Sequence, residues 1–441
     1  MSKNNEKKFK SKWGFILACV GSAVGMANVW GFPYKLGANG GGAFLIAYLL
    51  FIVIFSYVGL STEYAVGRRA KTGTVGAYAM AWKSGKKEGF IGRNIGWFPL
   101  AGSLCIALGY AIIISYVMKG LWQALTGSLM SVDTDIWFDS FALKDFSVLP
   151  LHLAVLVITI LTLIFGAESI EKTNKLMMPL FFILFVIMAV RIAFLPGAFE
   201  GYRYIFLPKW SKLADPMVWI WAMGQAFFSL SLTGSGMIVY GAYLSDKEDV
   251  VTGAKDTAFF DTLAALVAAV VMIPACFAYG MDPAGGPGLL FVTLPKILQN
   301  MPGGRLFAIV LYLAVVFGGI SSLQNMVEAV LESIGFRFPK LKRGYILAAL
   351  FIICMGIGAF IEPIYKWGPW MDIVSIYIIP IGATIGAISW FWVMKKEDLL
   401  DEINKARKNP VSDTWYLIGK YIYVPLALVL CIIALYKGVS F

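Results

Sequence analysis

The chain has 441 residues, 59% of them apolar and 14% charged, and a formal net charge of +11. A soluble domain is roughly 45–50% apolar and about 25% charged, so these values exclude an ordinary soluble protein. The shortage of charge also excludes a disordered chain. Mean hydropathy is +0.75, and the apolar runs are long and continuous rather than short and alternating. This is the pattern of an all-α polytopic membrane protein, not of a transmembrane barrel.

The charged start Met1 to Lys12 leads straight into an apolar run too long for the core of a signal peptide, so no cleavable leader is expected. Eleven spans follow, at about 13–36, 41–67, 97–124, 149–166, 174–195, 217–243, 256–281, 305–334, 345–362, 368–394 and 413–437. Residues 1–12 then form an N-terminal segment, 13–195 a first block of five spans, 217–394 a second block of five, and 413–437 one extra helix. Lys and Arg fall on one side of this chain, at Lys3 to Lys12, Arg68 to Arg93, Arg337 to Arg343 and Lys395 to Lys408. The third loop, on the other side, carries Asp133, Asp135, Asp139 and Asp145. Basic loops stay in the cytoplasm, which puts the N-terminus inside and, with an odd number of spans, the C-terminus outside. The net charge thus sets topology and needs no nucleic-acid partner.

Cys19, Cys105, Cys276, Cys354 and Cys431 all lie in apolar runs without a CxxC pair, as small buried hydrophobes do. His152 stands alone at the start of the fourth span. There is no Walker, HExxH or GxSxG motif, and the chain reads as a non-enzyme.

Two segments interrupt apolar helices with small and polar residues. The first span contains Gly21-Ser22-Ala23-Val24-Gly25-Met26-Ala27-Asn28, and the sixth contains Ser229-Leu230-Ser231-Leu232-Thr233-Gly234-Ser235-Gly236. Each opens its five-span block. Interrupted helices at matching positions of two inverted repeats mark a transporter site at mid-membrane. Such breaks free carbonyls for a cation and amides for an anion. Asp261, near the middle of the seventh span, is a functional candidate because a charge there costs roughly 3 kcal/mol or more. Gly318-Gly319-Ile320-Ser321-Ser322 in the eighth span adds two hydroxyls, although ordinary back-bonding of serine to its own helix explains them as well.

Trp30-Gly31-Phe32-Pro33-Tyr34, Asn39-Gly40-Gly41-Gly42-Ala43-Phe44, Gln225-x-Phe227-Phe228-Ser229-Leu230 and Ile170-Glu171-Lys172 with Met177-Met178-Pro179 resemble signatures of the neurotransmitter:sodium symporters. Within that family the chain is most similar to bacterial carriers of several hydrophobic amino acids. The resemblance implies the leucine-transporter fold, a five-plus-five inverted repeat with helices 1 and 6 broken, in a bacterial inner membrane. It implies two sodium sites. One would use Ala23, Asn28, Ser229 and Asp261 with the substrate carboxylate. The other would use Gly21, Val24, Gly318, Ser321 and Ser322.

No chloride is expected, because Asp261 stands where relatives often have Asn and brings its own charge. Gly25 stands where monoamine carriers have Asp, so the substrate supplies the carboxylate, as an amino acid does. The substrate pocket would comprise Ala23, Gly25, Ile112, Tyr116, Phe228, Ser229, Ser231, Gly234, Ser322 and Met326. Tyr116 would bind the carboxylate and Phe228 would cover it. Gly234, in place of a common Phe, would make room for large aromatic side chains. Gly31 replaces the usual outer-gate Arg opposite Asp372, which leaves either Trp30 with its apolar neighbours or Lys35 to close the vestibule. A proton-coupled carrier using Asp261 and a channel are the competing readings; the oligomeric state is left open.

Overall fold

The computed structural model describes residues 8–285 and 288–439. The expectations for Lys3, Lys7 and the rest of 1–7 lie outside the described residues.

The first helix, α1 (Lys12–Ala23), starts where the Ser11 side chain accepts the Gly14 N–H at 3.0 Å. It stops where Val24 turns extended. A second piece, α2 (Ala27–Ala38), leaves at 57° to the first. Then come α3 (Gly42–Ala70), α4 (Gly89–Thr126), α5 (Leu149–Leu163) and α6 (Ala167–Ala193). The sixth span falls on α7 (Pro216–Ser229) and α8 (Gly236–Ala242), separated by an irregular segment. Asp215 caps α7 through the Met217 N–H at 2.9 Å, with Pro216 in the first turn where its missing N–H costs nothing. Then come α9 (Val250–Ala278), α10 (Gly304–Arg337), α11 (Arg343–Ile361), α12 (Ile364–Val393), α13 (Lys396–Asn404) and α14 (Asp413–Lys437), with shorter helices such as Thr74–Ser84, Thr134–Ala142, Ala198–Phe206 and Leu294–Asn300 in the connections.

The described residues are helical, with a single isolated bridge between Gly41 and Pro208 in place of any sheet. Among the described residues eight helices are long and apolar enough to cross a membrane, nine when α1 and α2 count as one bent span. The expected fourth span is the shorter α5, and the expected sixth is the interrupted pair α7 and α8. Large apolar side chains such as Leu50, Val53, Val190, Ile352 and Phe360 face outward from the bundle, as the lipid side of a membrane protein does.

Packing centres on the breaks. Helix α1 lies against α6, α9 and α10, α2 against α9, and α3 against both α7 and α8. At one end of the bundle, ion pairs clasp the short helix α13. Arg68, at the end of α3 and fully buried, pairs with Glu402 and donates to the carbonyls of Glu248 and Glu402. Arg69 meets Asp398 at 2.7 Å, and Arg407 meets Asp249 at 2.8 Å. Asp246 bonds to Lys71 and sits near Lys405; the Lys71 ammonium holds its carboxyl below the usual carboxylate range.

Only the Arg68 pair is dry. Glu402→Ala should cost about 3 kcal/mol by stranding a buried guanidinium. Lys396→Ala, which breaks an exposed pair with Asp413, should cost less than about 1 kcal/mol. Thermal midpoints of the purified variants in detergent check this; equal midpoints would refute the ranking.

Candidate functional site between the two helix breaks

The breaks are local consequences of sequence. After Ala23 the chain continues through Val24 and Gly25, where a Cβ would collide with the Tyr110 hydroxyl and lie 2.5 Å from Ser322 Oγ. After Ser229, Ser231 has φ +53° and Gly234 φ +72°. The first is left-handed backbone in a residue with a side chain, an arrangement that costs roughly 1 kcal/mol or more and that concentrates at functional sites. Its hydroxyl lies 3.4 Å from the Ser22 carbonyl, so the two breaks touch.

On one flank of the break in α1, Asn28, Ser229 and Asp261 meet, all fully buried. Asn28 Nδ2 donates to Asp261 Oδ1 at 2.6 Å and to the Asp261 carbonyl at 2.9 Å. Asn28 Oδ1 accepts the Gly25 N–H at 3.2 Å. Ser229 Oγ donates to Asp261 Oδ2 at 2.7 Å, with the Tyr48 hydroxyl 3.5 Å away. On the other flank, Ser322 Oγ reaches the carbonyls of Gly21 at 3.2 Å and Val24 at 3.0 Å. Ser321 Oγ donates to the Gly318 carbonyl at 2.8 Å, the back-bonding considered above. Both groups are rich in the oxygen donors that a hard cation takes.

Between the clusters lies a cavity of about 40 Å³. Of the expected pocket residues, Ala23, Phe228, Ser231, Ser322 and Met326 line it. Ser229 stands behind it in the Asp261 cluster, and Gly25 lies beneath Tyr110.

Three expected residues lie elsewhere. Tyr116 donates to the Glu362 carbonyl and packs on Phe138 and Phe141, towards the far end of α4. Ile112 is fully buried outside the cavity lining. Their places are taken by Tyr110 and Ile106, six residues earlier. The Tyr110 hydroxyl accepts the Met26 N–H at 2.7 Å, which leaves its proton to donate. Gly234 also turns away. Its N–H donates to Glu63 Oε1 at 3.0 Å, its carbonyl accepts the Tyr78 hydroxyl at 3.1 Å, and a Cβ there would lie 2.6 Å from the Gly382 carbonyl. The wall next to it is made by Thr233 and Gly236. Ser103, Asn325 and Ile379 also line the cavity and were not anticipated.

Phe228 separates this cavity from a vestibule of about 280 Å³, which Trp30, Lys35, Tyr110, Gln225 and Asp372 help to line. Lys35 is buried, and its Nζ donates to Gln225 Oε1 at 2.8 Å. Gln225 Nε2 in turn holds the Ala27 carbonyl at 3.0 Å. A Cβ at Gly31 would point at the same Gln225 oxygen, 3.6 Å away, so Lys35 reaches back one turn to the place a longer residue 31 would occupy. Among the described residues no ion pair joins Lys35 to Asp372.

The opposite, N-terminal side is packed shut. Glu171 accepts the Lys10 N–H at 2.6 Å and the Ser11 hydroxyl at 2.8 Å. Phe9 donates its N–H to the Tyr243 carbonyl at 3.2 Å and packs on Tyr240 and Tyr243. Glu328 binds both Tyr243 and Arg343. His152 packs on Gly358, away from both breaks.

A family profile described as "Sodium:neurotransmitter symporter family" matches residues 6–142 and 138–440. An uncharacterized sodium-dependent transporter of Bacillus subtilis, YhdH, is 30% identical over the whole of both chains. Another, from Methanocaldococcus jannaschii, is 32% identical over 95% of this chain and 88% of its own. Among solved structures, MhsT in complex with L-phenylalanine superposes with a TM-score of 0.85 at 29% identity, covering 97% of this chain and 99% of that one. With the two breaks, the oxygen clusters and these likenesses together, the chain belongs to the sodium:neurotransmitter symporter family, and it is an all-helical membrane protein of the leucine-transporter fold.

Proposed function

We propose that this sodium-coupled symporter imports hydrophobic L-amino acids across a bacterial inner membrane by alternating access. Residues 13–195 and 217–394 would act as its two inverted repeats, with the N-terminus in the cytoplasm and the C-terminus outside. The observation that carries this reading is the Tyr110 hydroxyl over Gly25. It accepts the Met26 N–H beside a break between two oxygen clusters, which leaves its proton to donate, and there is no side chain at Gly25 to pair with a substrate amine. A carboxylate can accept that proton and touch a cation held by Ala23, Asn28, Ser229 and Asp261. The substrate's own charge then completes the first sodium site, which couples the two ligands reciprocally.

Gly21, Val24, Gly318, Ser321 and Ser322 would hold the second sodium. Ile106, Phe228, Met326 and Ile379 offer an apolar wall to the substrate side chain. MhsT with L-phenylalanine supports an aromatic amino acid among the substrates. The room would come from the Thr233–Gly236 stretch rather than from Gly234. The vestibule side is the outside, and Lys35 with Asp372 would close it above Trp30 and Phe228.

Tyr110→Phe should weaken binding of labelled phenylalanine about 30-fold, the loss of one hydrogen bond to a charged group. Tyr116→Phe should change it less than about twofold, since its hydroxyl bonds the Glu362 carbonyl past the end of α11, away from the cavity. Binding measured at fixed pH with and without sodium tests both. Sodium-independent binding that follows pH would instead favour a proton carrier.

Asp261 supplies a fixed negative charge beside Ser229 and Tyr48. Uptake should therefore be unchanged when gluconate replaces chloride at constant sodium, and loss of uptake would overturn the assignment. Lys35→Met and Asp372→Asn should each slow uptake about tenfold, and the double variant should be no slower than either, because both remove one contact. Additive losses would show that the two do not act as a pair.

A further inference from the structure

Beside the Ser321–Ser322 cluster, α6 presents a buried amide that the site described above does not use. Along this helix Glu171 meets Lys10 and Ser11 at the N-terminal face, Asn174 meets Gly21 one turn further in, and Phe181 meets Gly318 beyond it. Asn174 is fully buried. Both its amide hydrogens are engaged, one with the Ile170 carbonyl at 2.9 Å and one with Gln324 Oε1 at 2.8 Å. Gln324 is fixed in turn, its Nε2 donating to the Thr173 hydroxyl at 3.0 Å. Flipping the Asn174 amide would set its oxygen against two acceptors, so Oδ1 is forced to face Gly21. There it has no hydrogen-bond partner. A Cβ at Gly21 would overlap this oxygen and lie 3.0 Å from Ser321 Cβ. The absence of a side chain at Gly21 therefore lets a free carbonyl oxygen rest against the backbone of the cluster.

We propose that Asn174 Oδ1 is a transit ligand for the sodium ion that leaves the Ser321–Ser322 cluster toward the cytoplasm. The proposal rests on the reading of that cluster as a sodium site. A neutral amide oxygen suits the role. It is a hard donor, so it can replace a carbonyl of the cluster as α1 moves. It carries no charge, so it does not trap the ion. The buried residues of α6 that follow Asn174 toward Gly318 are Met177, Met178 and Phe181, which offer no oxygen from their side chains. Thr173 and then Glu171 continue the polar line toward the N-terminal face.

The test uses the full-length protein in proteoliposomes, with labelled phenylalanine uptake measured against increasing internal sodium. Asn174→Leu keeps the volume and removes the oxygen; Asn174→Asp keeps the shape and adds charge. The internal sodium that halves uptake should rise about fivefold in the first and fall about fivefold in the second, a modest coupling on the usual scale. Sodium dependence of substrate binding from the outside should stay within about twofold, since the coupling acts on the other face. Unmoved half-inhibition in both variants overturns the proposal, and so does a shift of the same sign in both, the mark of a packing defect. Should Asn174→Leu not be recovered folded, Gln324→Leu frees the amide and should shift in the same direction as Asn174→Leu; no shift refutes the role. Sodium-independent binding by the unaltered protein would overturn the sodium reading itself, whereas a sodium-dependent protein with unmoved variants overturns only Asn174.

Discussion

Peptide groups inside a bilayer have no water to turn to, so every break in a membrane helix must find partners within the protein. This chain makes two such breaks and sets them side by side. The carbonyls of Gly21 and Val24 find the Ser322 hydroxyl, the Gly25 amide finds Asn28, the Met26 amide finds Tyr110, and the Gly234 amide finds Glu63. Most polar residues of the centre are thus committed to the breaks before any ligand is considered. The helices around them follow from this need: α10 supplies Ser322, α4 supplies Tyr110, α9 supplies Asp261 and α3 supplies Glu63.

The same constraint makes Asp261 workable. A lone carboxylate at this depth would be too costly to keep charged. Asn28 and Ser229 donate to its two oxygens, and the cation proposed beside it would complete the neutralisation. That arrangement ties the first break to α7 and α9 through one charge. It also explains the economy of ionisable groups noted in the composition. Around the breaks the polar contacts fall to carbonyls, hydroxyls and amides, with Asp261 and Glu63 as the buried carboxylates.

Much of this was legible from sequence because the breaks are written in small residues. Glycine and serine clusters inside apolar runs point to the interrupted stretches of the first and sixth spans, and Asn28, Ser229 and Asp261, which the family resemblance groups together, meet in the structure. The tyrosine was not legible. Ile106 and Tyr110 are four residues apart, and so are Ile112 and Tyr116, on one uninterrupted apolar helix. A shift of six residues moves a pair by about 9 Å along the axis and some 120° around it. Nothing in hydropathy says which pair is level with the break; that level is set by how α4 packs on α10. Gly234 lies off the cavity lining for another reason. The resemblance places it where relatives have a Phe, but its left-handed backbone and the nearby Gly382 carbonyl require glycine there for the chain to turn. Lys35 lay between the two outcomes, since a long side chain one turn from Gly31 can reach the same Gln225, but only the fold shows that it does.

The N-terminal face is sealed, and α1 links that seal to the Ser322 cluster. Its first residues follow the N-terminal seal, where Lys10 and Ser11 bind Glu171 and Phe9 binds Tyr243. Its last residues carry the carbonyls that meet Ser322. Twelve helical residues span only about 18 Å and behave as one rigid rod. A cation that draws the Gly21 and Val24 carbonyls toward Gly318, Ser321 and Ser322 therefore also holds the far end of the rod in its seal against α6. On the proposed reading, departure of that cation would release both ends together, because the break at Val24 and Gly25 uncouples α1 from α2. Sodium at that proposed second site would then favour the state open to the vestibule without touching the vestibule. The differential affinity that any ligand needs in order to shift such an equilibrium resides in whether α1 stays docked on α10.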